Sequence, residues 1–134
     1  MGDMAPPQDR SPSPLLGLPG AVPAQGLDEG IAWHYGDPIG EQRAAENRVA
    51  LFDRTNRDLI AVTGEDRLTW LHSLTSQHLA DLPDGATTSA LVLSPTGHVE
   101  HHAVVTHHGD TVYLDTEPGA GAALATFLDG MRFW

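Results

Sequence analysis

Three strand-like runs divided by tight-turn signals occupy the second half of this chain, and they restrict its possible folds more than any other feature. Residues 88–94, 98–108 and 111–116 are rich in β-branched and aliphatic side chains. Ser94-Pro95-Thr96-Gly97 separates the first two runs, and Gly109-Asp110 separates the second run from the third. The pattern therefore predicts an antiparallel three-stranded meander.

The segments around this meander predict one further strand and three helices. Residues 59–63 form a short apolar run closed by Gly64, and residues 65–77 place Leu68, Leu71 and Leu74 on one face of a helix. Helical patterns also cover residues 39–50 and 119–130.

The order of these elements is typical of an α+β fold, an antiparallel sheet with packed helices. Leu51 and Phe52, between the first helix and the first strand of this sheet, are predicted to enter its core. The apolar ending at Trp134 predicts that a partner segment is missing.

The first 28 residues differ from the rest in composition. They contain six of the ten prolines and little periodic pattern, which is typical of a flexible leader. We therefore divide the chain into a Pro-rich leader, residues 1–28, and an apparently truncated domain, residues 29–134.

Composition excludes several classes of protein. The formal charge of −11 disfavours nucleic acids and anionic membrane surfaces as partners. Cysteine is absent, so the chain has no disulfide, thiolate metal site or cysteine nucleophile. No apolar run is long enough to span a membrane, and the N-terminus lacks the pattern of a signal peptide, so the predicted location is cytoplasmic.

Histidine is the first candidate for chemistry, because five of the eight histidines lie between His98 and His108. Alternation along a strand places His98, Glu100 and His102 on one face and His101 on the other. Two histidines and a carboxylate at this spacing leave a zinc site open as a hypothesis. The other interpretation is that these histidines line a groove or face solvent.

Known catalytic and nucleotide-binding motifs are missing. No serine lies in a G-x-S-x-G elbow, and neither G-x-G-x-x-G nor the G-x-x-x-x-G-K-[ST] loop occurs. Neither a serine hydrolase nor a nucleotide-binding site is predicted, and no catalytic or metal-binding residue is assigned.

Several short motifs in a consistent order resemble those of one family. The sequence LFD precedes a strand that ends in V-x-G-x-D-R, a helix that ends in SLTSQH, the turn LPDG, and the segment LVLSPTGHVEH. This order resembles the aminomethyltransferase (glycine-cleavage T-protein) superfamily, and within it the YgfZ-type folate-binding branch linked to iron–sulfur cluster assembly or repair. The resemblance implies the N-terminal part of the T-protein/YgfZ folate-binding fold, with the C-terminal half missing.

The resemblance also implies a tetrahydrofolate site and its residues. The G-G-x-x-D-D motif of T-proteins falls on residues 97–102, so the position of its second acid is held by His102. Arg57 and Ser89 correspond to pocket-lining positions that carry other side chains in T-proteins, and Val104 keeps the small aliphatic type. The four cofactor-binding residues implied are Arg57, Ser89, His102 and Val104.

The histidine at position 102, in place of the T-protein acid, distinguishes two functional hypotheses. Neutral imidazole offers one donor and one acceptor and carries no fixed negative charge, unlike the aspartate that it replaces. The leading hypothesis is therefore a non-enzymatic folate-binding accessory factor whose partners include iron–sulfur proteins. The alternative is a true aminomethyltransferase-type enzyme, with Glu100 as the nearest acid on the strand face of His102.

Overall fold

In the computed structural model, residues 11–132 are described, and they form two compact units, residues 11–57 and residues 58–132. Residues 133–134, the apolar ending from which a missing partner segment is predicted, lie outside the described residues. Each unit is described here by itself.

The unit of residues 11–57 contains a small ribbon and one helix. Strand β1 (Val22–Pro23) pairs antiparallel with strand β2 (Ala32–His34), and helix α1 (Pro38–Asn47) follows. The Oδ1 atom of Asp37 accepts a hydrogen bond from the Gly40 N–H at 3.0 Å, and Glu41 Oε1 accepts from the Tyr35 N–H at 2.8 Å. Asp37 thereby satisfies an amide that the start of α1 leaves without a helical partner, whereas Glu41 binds the backbone just before the helix.

Residues 1–28 were predicted to form a flexible leader. The part of this segment that is described, residues 11–28, instead contains regular structure. Pro14–Gly17 and Gly26–Asp28 form 3₁₀ turns, and β1 lies between them. The Ser13 N–H donates to the Gly30 carbonyl at 2.7 Å. Prolines at turns and at a short edge strand are compatible with such structure, because these positions need few N–H donors.

The prediction that Leu51 and Phe52 enter the core is wrong. Leu51 is 97% exposed and Phe52 is 73% exposed. Both lie after α1 in a stretch outside helix and strand. Local hydrophobicity marks such side chains as candidates for burial, but only the surrounding surfaces decide whether they are buried.

The unit of residues 58–132 is a four-stranded antiparallel sheet with two helices. Its strands are β3 (Asp58–Thr63), β4 (Thr87–Leu93), β5 (Val99–His108) and β6 (Thr111–Thr116), in the spatial order β3-β6-β5-β4. The predicted meander of the last three strands is confirmed, and β3 pairs with β6 at the opposite edge from β4. The α+β class is confirmed.

Helices α2 (Arg67–Leu74) and α3 (Gly121–Gly130) contribute to one core with the sheet. Each is shorter than its sequence pattern, because Thr75 ends α2 in an extended conformation and Gly119–Ala120 turns before α3. The buried core side chains from the strands and the two helices are Ile60, Val62, Leu71, Leu79, Ala90, Val92, Ala103, Val105, Val112, Leu114, Leu124 and Leu128. Across residues 11–132, no helix is long and apolar enough to cross a bilayer.

Asp58, the first residue of β3, binds the backbone at the start of α3. Its Oδ2 atom accepts hydrogen bonds from the Gly119 N–H at 3.0 Å and the Gly121 N–H at 2.8 Å. The N-cap position itself is Ala120, which has no side-chain acceptor. A buried carboxylate at this helix end satisfies free amides and complements the helix dipole. The two partners Asp58 and Gly121 are 63 residues apart in the sequence.

Arg67 and His107 form a polar network at the other end of the sheet. Arg67 donates to the carbonyls of Gly64 at 2.8 Å and Gly109 at 2.9 Å, and its Nη2 lies 3.2 Å from His107 Nε2. His107 Nδ1 lies 2.7 Å from the Leu82 carbonyl. A ring proton on Nδ1 lets that nitrogen donate to the Leu82 carbonyl and leaves Nε2 to accept from Arg67. The network ties α2, the β5–β6 turn and the loop before β4 together.

Asp84 makes the stability of the same region depend on pH. The Gly109 N–H donates to Asp84 Oδ1 at 2.8 Å, and this hydrogen bond lowers the pKa of the carboxyl, with smaller help from His108 and His107. A lowered folded-state pKa means that the carboxylate stabilises the fold above its unfolded-state pKa of about 3.9 and stops doing so as the pH falls through the folded-state value.

We therefore expect Asp84→Asn to lower stability at pH 7 and to make little difference near pH 2. Urea unfolding of the wild type and the variant across this pH range measures the difference. A stability difference that stays constant with pH would contradict the assignment.

Candidate functional site

Strand β5 presents different side chains on its two faces. Ala103, Val105 and His107 are buried on the face that packs against α2 and α3, whereas His102 and Val104 are half-buried on the opposite face. The cause is the strand period of two. We call this opposite side of the sheet the far face, and it includes Ser89, Leu91, His102, Val104 and Asp115.

Three of the four residues implied as cofactor-binding come together on the far face. Ser89 on β4 lies directly opposite Val104 on β5, and His102 lies directly opposite Leu91. Directly opposed side chains in an antiparallel sheet have Cβ atoms about 4.5–5.5 Å apart. Ser89, His102 and Val104 therefore form one patch, in which Ser89 is exposed.

Arg57, the fourth residue, belongs to the other unit. It is the last residue before β3, and its backbone N–H donates to the Arg54 carbonyl at 3.1 Å. Its role in the site stays a prediction.

The other histidines of the cluster have separate surroundings. The His101 ring contacts the Phe127 ring with centroids 5.6 Å apart, on the helix side of the sheet. His98 Nδ1 lies 3.2 Å from the Thr96 hydroxyl in the β4–β5 turn. In the part of the chain that the structure describes, no three His, Asp or Glu side chains are arranged to hold a metal ion. The histidines thus reach both faces of the sheet and do not converge.

Comparison with known proteins shows the family of this chain. The profile of the GCVT N-terminal domain matches residues 31–128, which is most of the sequence. The chain belongs to the GCVT N-terminal domain family. The T-protein resemblance is thereby confirmed at the level of the superfamily, and the YgfZ branch stays a prediction.

A solved structure has the same fold as this GCVT-family chain. It is the crystal structure of the glycine cleavage system aminomethyltransferase T from Bartonella henselae, with a TM-score of 0.67 and 21% sequence identity. The match covers 85% of this chain and 32% of the Bartonella chain, so the present sequence spans about a third of the length of that relative. No curated protein matches the sequence significantly.

A small cavity in the GCVT-family domain lies away from the far face. It measures about 20 Å³, close to the space of one water molecule. None of the four residues implied as cofactor-binding lines it. The lining is almost entirely apolar and consists of Leu71, Thr75, Ala90, Val92, His101, Ala103, Val105, Leu114, Leu124 and Leu128. This cavity is a packing gap between helices and sheet, and it is too small for a cofactor.

Sequence patterns missed two β6 residues that adjoin the site. Asp115 lies opposite Val104 on the far face, and the Thr116 hydroxyl donates to the His102 carbonyl at 2.7 Å. A signal was present, because a hairpin turn at Gly109-Asp110 sets the register between β5 and β6. Counting back from that turn pairs Asp115 with Val104.

Proposed function

We propose that this chain supplies one wall of a tetrahydrofolate-binding site, formed on the far face around His102. The observation that carries the proposal is the position of His102, half-buried beside Leu91 in the patch that includes Ser89 and Val104. The family membership of residues 31–128 supports the ligand class.

The chemistry of the patch fits a pterin ring. Leu91 and Val104 offer apolar contact to a flat ring, while His102 and Ser89 offer hydrogen-bonding groups beside them. Binding sites for small molecules commonly combine an apolar lining with a few placed polar groups. Tetrahydrofolate would supply the one-carbon acceptor nitrogens, and the residues of this chain would bind and orient the ring.

The proposed role is accessory rather than enzymatic. An imidazole at position 102 lacks the fixed negative charge that the T-protein motif places there, so it cannot steer a folate nitrogen as a carboxylate does. A link to iron–sulfur cluster assembly or repair rests on the YgfZ-type motifs alone. We propose iron–sulfur proteins as the clients of this folate-binding function.

Titration calorimetry with tetrahydrofolate tests the ligand. We expect His102→Ala to weaken binding about tenfold, which corresponds to the loss of one or two hydrogen bonds. His108→Ala is the matched control, because His108 lies on the same strand face but six residues away and is exposed. The measurement is made on a protein that joins this chain to the C-terminal half that we propose below. No binding by that protein, or equal losses in both variants, would reject the proposal.

An aminomethyltransferase-type one-carbon transferase is the second candidate, favoured by the family match and by the fold of the Bartonella enzyme. This reaction needs an acid on the far face, and the candidate taken from the sequence is Glu100. Formation of methylenetetrahydrofolate from an aminomethyl donor would establish the activity. Activity that survives Glu100→Gln would exclude Glu100 as its acid.

We also propose that the unit of residues 11–57 is covered by another part of a longer protein, the missing C-terminal half. Within this unit Ile31 is the one buried apolar side chain, while Leu27, Trp33, Val49, Leu51 and Phe52 are between 73% and 97% exposed. A unit that buries so little apolar surface gains little stability alone. We expect the 134-residue chain to bind a hydrophobic dye, and we expect Leu51→Asp to reduce this binding. No dye binding would reject the proposal.

A further inference from the structure

The far face carries an acid that the motifs did not single out. Asp115 lies on β6 directly opposite Val104 of β5 on one side and directly opposite Leu59 of β3 on the other. Its side chain is half-buried. Because directly opposed side chains have Cβ atoms about 4.5–5.5 Å apart, the Asp115 carboxylate belongs to the patch that contains Val104.

Thr116 fixes β6 against β5 at this point. The paired register of the two strands ends at Val104 and Asp115, and the Thr116 hydroxyl then donates to the His102 carbonyl at 2.7 Å. Thr116 is 1% exposed, so water does not compete for this hydrogen bond. His102 and Asp115 are therefore held as diagonal neighbours across two strands, within reach of one ligand.

The two acids of the far face are not equivalent. Glu100 is exposed and lies beside the register shift between Val92 and Leu93, where a bulge interrupts the pairing of β4 with β5. Bulges commonly redirect the side chains next to them. Asp115 stands in the regular part of the sheet with a paired strand on either side. Its position is thus better defined than that of Glu100.

Building on the proposed folate function, we infer that Asp115 is the acid of this site. Its carboxylate accepts hydrogen bonds from N–H groups of the tetrahydropterin ring, one strand away from position 102. An ionised aspartate is an acceptor with two oxygens, and the reduced pterin ring carries several N–H donors. The negative charge that position 102 lacks is supplied by the neighbouring strand.

The test compares tetrahydrofolate affinity in the same protein with both halves and in its Asp115→Asn and Glu100→Gln variants. Both substitutions remove one negative charge and keep the side-chain shape. We expect Asp115→Asn to weaken binding by at least tenfold, because it removes hydrogen bonds to a charged group. Glu100→Gln should leave the affinity within about twofold of the wild type.

Each other outcome has a distinct meaning. Equal affinity of Asp115→Asn and wild type overturns the role of Asp115 and leaves the folate proposal standing. No binding by the wild type overturns the proposed function and this inference with it. Should Asp115→Asn fail to fold, the carboxyl ¹³C resonances of the wild type decide: tetrahydrofolate should shift that of Asp115, and an unshifted resonance overturns the inference.

Discussion

Gly121→Ala is expected to destabilise the protein by about 3 kcal/mol, a large effect for one methyl group. A Cβ atom at position 121 would lie 2.6 Å from the Asp58 Cβ and 2.9 Å from its Oδ2. Both atoms are buried and held by the start of α3, so the strand or the helix must shift. The shift also lengthens the hydrogen bonds from the Gly119 and Gly121 amides, and these involve a charged acceptor.

Gly130→Ala is the matched control for this prediction. Gly130 ends the same helix, and a Cβ atom there would meet nothing within 4 Å. Alanine favours the helix by up to about 1 kcal/mol over glycine, so this variant should be neutral or slightly more stable. Urea unfolding followed by circular dichroism measures both variants. Similar losses in the two would show that helix α3 is sensitive to any added side chain, and would refute the specific contact with Asp58.

Arg67→Met is expected to cost about 2–3 kcal/mol of stability, the second largest effect. The methionine keeps the length of the side chain but leaves the Gly109 carbonyl and His107 Nε2 without their donor. The Gly64 carbonyl loses its 2.8 Å guanidinium donor and keeps only the backbone N–H of residue 67 at 3.3 Å. His107 is 9% exposed, so water replaces the lost partner poorly. Arg67→Lys should recover only part of the loss, because an ammonium cannot reproduce the planar guanidinium fork.

Arg132→Met serves as the control for loss of an arginine. Arg132 pairs with Asp129 at 3.3 Å in an exposed, i,i+3 contact. Such surface pairs contribute between 0 and about 1 kcal/mol, so little change is expected. Urea unfolding compares the two variants, and amide exchange at the β5–β6 turn shows whether the loss is local. Equal stability of Arg67→Met and wild type would contradict the proposed network.

Much of the sheet unit followed from local patterns. The turns at Ser94–Gly97 and Gly109–Asp110 and the β-branched runs beside them depend on backbone preferences that each segment carries by itself. Burial of Leu71 followed from helical spacing in the same way. Local patterns failed at Leu51 and Phe52, because exposure depends on what else packs there.

The candidate site was predicted in part. Alternation along β5 placed Glu100 and His102 on one face from sequence alone, and the family motifs pointed to Ser89 and Val104. The T-protein motif lies along β5, and the nearest acid on that strand face is Glu100. Asp115 lies on another strand and became visible only with the register of β5 against β6.

The amino-acid sequence by itself determined the four strands of the sheet unit, the turns between the last three, the helical segments and the family, because these depend on short-range backbone preferences and on motif order. Only the tertiary structure decided which sheet face turns away from the helices, which acid stands beside Val104, and which carboxylate caps α3. These features join residues far apart in the chain, such as Asp58 and Gly121. Their contacts depend on strand register and packing, which no single segment encodes.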